Sequence, residues 1–313
     1  MIPLLAAQEA RAREGLDPEV LQWVTDGAVE GGWSAYHFRP HVLRDVTSVD
    51  TTCHLLGTTV SSPVLVGPTA FHDRLHPDAE RATASGAAAA GSLMVWSMRA
   101  TAEFTGPGWW QVYLLRDRAR TLEICCQARD LGASALVLTG DTPYLGTARR
   151  GPLGDLDQSP AACLADIDWL ATEVGLPVLV KGVLRADDAR ACVDAGATGV
   201  VVSNHGGRQL SRAVPTATAL PEVVAAVGDQ VPVLVDGGLR DGLDVLCALA
   251  LGARAVLLGK PILWALGADG AAGVEACLRA VTEDLAFQMG LAGVRSLAEI
   301  GPDLAGLLEE PAD

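Results

Sequence analysis

From about residue 63 onward, short apolar runs rich in valine and leucine alternate along the chain with longer, alanine-rich stretches. This rhythm is typical of repeated βα units around a parallel sheet, and it restricts the fold more than any other feature of the chain. The candidate strands are Pro63–Val66, Ser92–Trp96, Trp109–Tyr113, Ala135–Leu138, Pro177–Val180, Gly199–Val202, Pro232–Val235 and Ala255–Leu258. Because there are eight of them, they predict a closed (β/α)8 barrel.

An open, doubly wound sheet is the main alternative. Such a sheet carries a glycine fingerprint after its first strand, and the segment Val64–Ala70 contains none. We therefore predict an α/β protein in which residues 63–313 form a TIM barrel. Residues 1–62 are expected to form a helical and strand cap at the barrel floor, within a single structural domain. A helix near Pro18–Thr25 and short strands between Arg39 and Thr59 are expected there.

Composition excludes several classes of partner. Acidic residues outnumber basic residues by 38 to 23, and the formal net charge of -15 argues against nucleic acid or an anionic membrane. The seven cysteines are scattered, with no Cys-x-x-Cys pair and no His-rich spacing that would predict a metal site. Residues 1–14 lack a secretory pattern, and no uninterrupted apolar run could span a membrane. Reduced thiols then predict a cytoplasmic location.

The segment Val201–Leu210 reads Val-Val-Ser-Asn-His-Gly-Gly-Arg-Gln-Leu, an apolar strand that stops abruptly at polar residues. Two glycines allow the backbone to turn, so that His205 and Arg208 can converge on one small molecule. An arginine holds a carboxylate through paired hydrogen bonds, and an imidazole moves a proton. The pair therefore predicts a site for an anionic substrate.

Polar residues recur where the other predicted strands end. They are Thr69, Ser97, Gln111, Tyr113, Thr139, Asp141, Lys181, Ser203, Asp236 and, with its bare backbone, Gly259. Each of them alone could be a helix cap. The carboxyl ends of barrel strands share one face, where active sites are built, so together they predict a ring around a site.

Two late loops are suited to a phosphate group. Asp236-Gly237-Gly238-Leu239-Arg240 follows the seventh strand and Gly259-Lys260 follows the eighth, which brings backbone amides and two cations to helix starts. Ordinary tight turns are the structural alternative. Lys181 ends a buried strand and needs an electron-rich partner, either a cofactor atom or the carboxylate of a structural salt bridge.

Several segments between about residue 15 and residue 300 together carry a family resemblance. They are Arg39-Pro40, Leu43–Val46, Gly67–Ala70, His76–Glu80, Trp110–Tyr113, Leu138–Pro143, Val180–Gly182, Ser203–Leu210 and Val235–Arg240. The chain resembles the FMN-dependent α-hydroxy-acid oxidases and dehydrogenases, among them glycolate oxidase, lactate oxidase, mandelate dehydrogenase and hydroxymandelate oxidase. The Ser-Asn-His-Gly-Gly-Arg-Gln run is the most specific of these motifs.

The resemblance implies a flavin mononucleotide (FMN) over the barrel mouth. Pro68, Thr69 and Ala70 would lie near its ring, whose edge would be hydrogen-bonded by Ser97, Gln111 and Thr139. Lys181, with Ser203 close by, would stabilise the anionic reduced flavin. The ribityl phosphate would be held by Asp236, Gly237, Gly238, Arg240, Gly259 and Lys260, where the family more often has arginine at the position of Lys260.

The resemblance also implies catalytic roles. His205 would be the base, Asp141 would orient its imidazole, Arg208 would clamp the substrate carboxylate, and Tyr113 would hydrogen-bond the reacting oxygen. Two electrons would pass to flavin N5 and then to oxygen or another acceptor. Homo-oligomers are common in this family, so a homo-oligomer is expected.

Four further features depart from the family pattern. Leu21 stands where the family has a carboxylate-binding tyrosine, and Arg149-Arg150 are displaced by two positions. Arg99 is a candidate substrate-binding residue that could supply positive charge instead, and a solvated loop residue is the alternative. Roughly a dozen residues separate Arg150 from the helix near Cys163, and such a short loop leaves the flavin face open.

These departures predict a 2-hydroxy acid bulkier than glycolate, either aryl-substituted or attached to a carrier. An amine, a hydroxy-ester or an oxidative decarboxylation is the alternative within the same fold. A non-catalytic flavin-binding module is a further alternative, but a decaying site has no reason to keep His205, Asp141, Tyr113, Arg208 and Lys181 together.

Overall fold

A computed structural model of the chain describes residues 2–27, 31–143 and 157–308. In these ranges the strands are β1 (Tyr36–Phe38), β2 (Cys53–Leu55), β3 (Thr58–Val60), β4 (Val64–Val66), β5 (Val95–Ser97), β6 (Gly108–Val112), β7 (Ala133–Thr139), β8 (Val178–Val183), β9 (Gly199–Val202), β10 (Val233–Asp236), β11 (Ala255–Leu258) and β12 (Ala305–Leu307). The helices are α1 (Pro3–Gly15), α2 (Pro18–Thr25), α3 (Ala79–Ala89), α4 (Arg118–Asp130), α5 (Ala165–Val174), α6 (Ala186–Asp194), α7 (Thr216–Val227), α8 (Gly242–Ala250) and α9 (Lys260–Ala292).

Strands β4 to β11 form an eight-stranded sheet in the order β4-β11-β10-β9-β8-β7-β6-β5, and the paired neighbours are parallel. The sheet closes because Val66 in β4 forms a parallel bridge to Met94, directly before β5. The predicted (β/α)8 barrel is confirmed. All eight predicted strands are present, and β9 and β11 have the predicted bounds.

Both faces of the barrel strands are buried, because side chains on a strand alternate between the barrel interior and the surrounding helices. Leu65, Trp109, Val137 and Leu179 belong to one cluster of fully buried side chains inside the barrel. Their neighbours in the strands pack with the helices in a second, larger cluster. This arrangement fixes the strands and leaves their carboxyl ends to carry polar groups.

The β2–β3 hairpin lies at the barrel floor. Cys53, Leu55 and Val60 pack with the interior cluster, and Sγ of Cys53 lies 3.7 Å from the carbonyl oxygen of Arg254, just before β11. Strand β1 forms an antiparallel pair with β12, the last strand of the described chain.

The floor position predicted for residues 1–62 is wrong for α2. The guanidinium of Arg208 donates to the carbonyl oxygen of Trp23, and Nζ of Lys260 lies 3.0 Å from that of Thr25. Both cations follow barrel strands, so the carboxyl end of α2 lies at the barrel mouth. The negative end of a helix dipole favours cations, which explains this position physically.

No helix in the described ranges is long and apolar enough to cross a membrane.

Candidate active site

A hydrogen-bonded row of three side chains crosses the barrel mouth from β5 to β7. Oγ of Ser97 donates to Oε1 of Gln111 at 3.2 Å, and Nε2 of Gln111 donates to Oγ1 of Thr139 at 2.9 Å. All three residues are buried. The structure therefore brings together three of the predicted cofactor-binding residues, and neighbouring strands fix their order.

Lys181 is buried in β8 beside two partners. Nζ donates to Oγ of Ser203 at 2.7 Å and lies 3.0 Å from Oδ2 of Asp236. Desolvation acts to lower the pKa of Lys181, but the carboxylates of Asp236 and Asp141 outweigh it and raise the pKa above its usual value. Lys181 is therefore a fixed positive charge, and the salt bridge considered from the sequence is present.

The second carboxylate oxygen of Asp236, Oδ1, is buried and has no hydrogen-bond partner among the described residues. A buried carboxylate oxygen without a donor is costly. This oxygen therefore fits a donor from a bound molecule, such as the sugar-like hydroxyl of a ribityl chain. The other oxygen, Oδ2, is the one paired with Lys181.

His205 and Asp141 form an acid–base pair. Nδ1 of His205 lies 3.1 Å from each carboxylate oxygen of Asp141, an arrangement that leaves Nε2 for a substrate. Burial acts to raise the pKa of Asp141, but the hydrogen bond and charge of His205, with Lys181, lower it below its usual value. Asp141 is therefore a carboxylate that orients the ring.

A tight left-handed turn presents His205. His205, Gly206 and Gly207 all have positive φ angles, of 56°, 61° and 72°. Oγ of Ser203 accepts from the backbone N–H of His205, and Oδ1 of Asn204 accepts from that of Gly206. A non-glycine residue in this conformation is uncommon and is found at functional sites.

Gly182 was not predicted as a site residue, yet it decides where Asp141 lies. Its φ is +103°, and a Cβ atom there would lie 2.6 Å from both Cβ and Cγ of Asp141. The pairing of β8 with β9 shifts its register between Lys181 and Val183. Glycine following a strand lysine was the available signal, because such glycines mark bulges and close approaches.

Tyr113 is buried near the charged side chains of Lys181, Arg99 and Asp141. Burial raises the pKa of Tyr113, while Lys181 and Arg99 act to lower it and Asp141 acts to raise it. The phenol is therefore protonated at neutral pH and can donate a hydrogen bond. The side chains of Tyr113, Lys181, Arg99 and Asp141 therefore lie close enough at the barrel mouth to affect one another electrostatically.

Arg208 is held by the carboxyl end of α2. Its guanidinium donates to the carbonyl oxygens of Trp23 and Val24 and lies over the Trp23 ring, 5.4 Å from the centroid. Gly27 approaches the arginine so closely that a Cβ atom there would lie 2.6 Å from Cγ of Arg208. Gly27 is a second contributor that was not predicted, because its contact is distant in sequence.

Lys260 and Arg240 add positive charge beside Arg208. Desolvation, followed by the charges of Arg208 and Arg240, lowers the pKa of Lys260 to about 8. Desolvation also lowers the pKa of Arg240. Gly237 and Gly238, with φ angles of +93° and +79°, bring bare backbone to the same region.

Gly259 directly precedes α9, and Lys260 is the first residue of that helix. Helix starts and clustered cations bind phosphate groups. The described residues therefore fit a phosphate-bearing cofactor.

Residues of the β4 loop lie next to this region. Pro68, Thr69 and Ala70 are half-buried, and a Cβ atom at Gly259 would lie 3.7 Å from Cγ2 of Thr69. Arg99 lies over the ring of Phe71, 5.1 Å from its centroid. The Arg99 side chain therefore stacks on an aromatic ring at the barrel mouth, so it is not simply a solvated loop residue.

The sequence singled out two further segments. Arg149 and Arg150, and most of the short loop before Cys163, lie outside the described residues. Leu21 is half-buried and packs against the hydrophobic core from α2.

The fold and the site define a barrel protein that can hold a phosphate-bearing cofactor beside an imidazole–carboxylate pair. The chain belongs to the FMN-dependent dehydrogenase family, whose profile matches residues 20–158 and 153–306. It is 38% identical to glycolate oxidase 3 of Arabidopsis thaliana over 93% of this chain and 92% of that protein. It is 36% identical to human 2-hydroxyacid oxidase 2, over 95% of this chain and 96% of that protein.

Solved structures show the same similarity. A mandelate oxidase mutant with (S)-mandelic acid matches with a TM-score of 0.90 and 36% identity, over 98% of this chain and 99% of that chain. Another mandelate oxidase mutant, with a monooxide FMN adduct, matches with a TM-score of 0.89 and 36% identity, over 96% of this chain and 100% of that chain. The predicted family and the FMN cofactor are confirmed.

Proposed function

We propose that this protein oxidises a 2-hydroxy acid to the 2-oxo acid with FMN as its cofactor. The observation that carries the proposal is the His205–Asp141 pair, 3.1 Å apart, on the barrel face that also holds Lys181. Membership of the FMN-dependent dehydrogenase family and relatives named glycolate oxidase and 2-hydroxyacid oxidase support it.

In this proposal each residue of the pair has one task. Nε2 of His205 accepts a proton from the substrate, and Asp141 keeps Nδ1 protonated and stabilises the imidazolium that forms. Tyr113 donates a hydrogen bond to the reacting oxygen, because burial keeps its phenol protonated. Arg208 binds the carboxylate of the substrate. Bound FMN would supply, at N5, the acceptor of the two electrons and of the second hydrogen of the substrate, and oxygen or another acceptor would reoxidise it.

The cofactor-binding residues divide into two groups. Pro68, Thr69, Ala70, Ser97, Gln111, Thr139, Lys181 and Ser203 would hold the flavin ring, and Asp236, Gly237, Gly238, Arg240, Gly259 and Lys260 would hold the ribityl phosphate. The unpartnered Oδ1 of Asp236 and the cations near Gly259 support the second group. The Ser97–Gln111–Thr139 row supports the first.

We further propose that the substrate is bulkier than glycolate, aryl-substituted or attached to a carrier. Half-buried Trp23 and Phe71 form an edge-to-face pair, 6.2 Å between ring centroids, between the guanidinium groups of Arg208 and Arg99. Such a pair can pack against an aromatic ring. Arg99 would then bind the carboxylate of the substrate. The side chain of Leu21 is apolar and cannot bind a carboxylate.

Anaerobic mixing of the purified yellow protein with a substrate panel tests this function. We expect (S)-mandelate-like acids to bleach the flavin absorbance faster than glycolate or lactate. Methyl mandelate and primary amines test the alternative substrates, and bleaching only by these compounds would overturn the 2-hydroxy acid. Bound FMN that no compound reduces would indicate a non-catalytic module.

His205→Ala identifies the base. Without an imidazole no group accepts the substrate proton, so we expect flavin reduction to fall by at least about 100-fold, a typical loss for a general base. FMN remains bound, because the residues assigned to its phosphate are unchanged. Reduction at the wild-type rate would remove His205 from its proposed role.

We also propose that the protein is a homo-oligomer. Exposed apolar side chains cluster near the end of α9, where Phe287 and Leu291 are 62% and 60% exposed and the adjacent loop carries Val42 and Leu43. Light scattering measures the mass in solution, and a monomer would exclude the proposal. A cytoplasmic location remains our expectation, supported by seven cysteines that form no disulfide.

A further inference from the structure

A fully buried histidine lies behind the loop that follows β4. Nε2 of His72 lies 2.7 Å from Oγ1 of Thr69, and Nδ1 lies 2.8 Å from Oγ1 of Thr83 in α3. His72 and Thr83 are both 0% exposed. The proposed mechanism uses Thr69 but neither of these two residues.

Glu80 fixes the surroundings of this histidine. One carboxylate oxygen accepts the backbone N–H of His72 at 3.2 Å. The other accepts the backbone N–H groups of Thr101 and Ala102 and the Thr101 hydroxyl, at 3.1, 2.9 and 2.9 Å. A single buried side chain therefore joins α3 to the loops that follow β4 and β5, so the imidazole is held in place.

The imidazole of His72 is neutral at physiological pH. Burial lowers the pKa of His72 to about 4, against the opposing charges of Glu80 and Asp73. A neutral imidazole has one N–H donor and one acceptor nitrogen. Its two hydroxyl partners must therefore differ, because one donates to the ring and the other accepts from it.

The environment of Thr83 decides which hydroxyl donates. The described residues offer the buried Thr83 hydroxyl no hydrogen-bond acceptor other than Nδ1 of His72. A buried O–H group without an acceptor is costly, so Thr83 donates to Nδ1. The ring proton then lies on Nε2 and is donated to Thr69. Thr69 is half-buried at the mouth, and its own proton points away from the ring.

We propose that His72 is a positioning residue, and that the chain Thr83–His72–Thr69 holds the Thr69 hydroxyl as a hydrogen-bond donor toward the flavin. This inference rests on the proposed function, in which Thr69 contacts the ring. A donor stabilises a negatively charged ring more than a neutral one. The chain therefore raises the reduction potential of the flavin.

Thr83→Val tests the chain without altering a residue that would contact FMN. Valine keeps the size of the side chain but removes the hydroxyl that fixes the ring proton on Nε2, so His72 no longer holds the Thr69 hydroxyl as a donor toward the flavin. We expect a negative shift of the flavin midpoint potential, a changed flavin absorbance spectrum and about fivefold weaker FMN binding, the effect of one neutral hydrogen bond. Thr83→Ser, which keeps the hydroxyl, should restore all three.

Thr282→Val is the matched control. Oγ1 of Thr282 lies 2.8 Å from Oγ of Ser62, a similar threonine contact just before the first barrel strand. We expect this variant to lose stability without moving the flavin potential. An equal shift in both variants, or none in Thr83→Val, overturns the inference.

A second measurement is made on the wild-type protein, and a variant serves only to assign one signal. Nitrogen-15 NMR of the protein as purified reports the tautomer of His72, assigned by the signal missing from His72→Gln. A proton on Nε2 supports the inference, and a proton on Nδ1 overturns it. A protein that refuses FMN would instead overturn the proposed function, whichever tautomer is found.

Discussion

Lys260 is the first residue of α9, and its ammonium group lies near the guanidinium groups of Arg208 and Arg240. Because these like charges repel, the protonation of Lys260 depends on whether an anionic ligand is bound. Its pKa of about 8 results first from desolvation and then from these two cations. A phosphate group supplies the opposite charge that stabilises the ammonium. Binding of FMN above pH 8 must therefore return a proton to Lys260.

We predict that the Kd of the wild-type protein for FMN rises with pH above about 8, by up to about tenfold per pH unit, since one proton is taken up. Lys260→Arg keeps its charge and should bind FMN with a Kd that is constant from about pH 7 to 9.5, because a guanidinium does not titrate there. Quenching of flavin fluorescence on titration of the apoprotein measures both. Riboflavin, which lacks the phosphate, is the control ligand and should show no such dependence. A pH-independent wild-type Kd would contradict the role of Lys260.

At the scale of elements, the irregular end of β8 couples two neighbouring strands. β8 carries Lys181 and then turns through Gly182, whose lack of a side chain leaves room for Asp141 after β7. Asp141 in turn holds His205 after β9. The orientation of the base therefore depends on three consecutive strands, although only His205 contacts the substrate in the proposed mechanism.

Gly182→Ala is predicted to lower the rate of flavin reduction by about 100-fold, because the new methyl group displaces Asp141 and shifts the base. Its positive φ adds a stability loss of about 1–2 kcal/mol. Gly196→Ala is the matched control, since Gly196 has a φ of +96° and nothing within 4 Å of a Cβ atom. Stopped-flow reduction and thermal unfolding should show a similar stability loss in both variants and a slower reaction only in Gly182→Ala. A wild-type rate in Gly182→Ala would remove this coupling.

The sequence predicted those secondary-structure elements that a local pattern of apolar residues determines. Apolar runs identified every barrel strand, and the shared carboxyl ends of parallel strands explain why Gln111, Lys181 and His205 could be predicted on one face. The position of α2 at the mouth was not predictable, because contacts with Arg208 and Lys260 far along the chain determine it. The buried His72–Glu80 network was missed for a different reason: its residues are near in sequence, but no local pattern predicts that this turn is buried.

At the scale of the whole molecule, two effects of acid oppose each other. The formal net charge of -15 at pH 7 means that protonation of surface carboxylates relieves repulsion as the pH falls. His72 acts in the opposite direction. Its folded pKa of about 4 lies below the ordinary 6.5, so below pH 6.5 the unfolded chain binds a proton that the folded chain refuses. The stability from His72 is therefore complete above pH 6.5 and is lost as the pH falls toward 4.

His72→Gln separates the two effects, because it leaves the net charge at pH 7 unchanged and removes the titrating ring. We predict that acidification from pH 7 to pH 5 costs the wild-type apoprotein about 2 kcal/mol more unfolding free energy than it costs the variant, from one proton and this pKa difference. Urea unfolding at both pH values measures the difference. His37→Gln, at an exposed histidine, is the control and should follow the wild type. Equal pH slopes in wild type and His72→Gln would mean that the folded protein protonates His72 as readily as the unfolded chain does, and a protonated ring could not accept the hydrogen bond of Thr83.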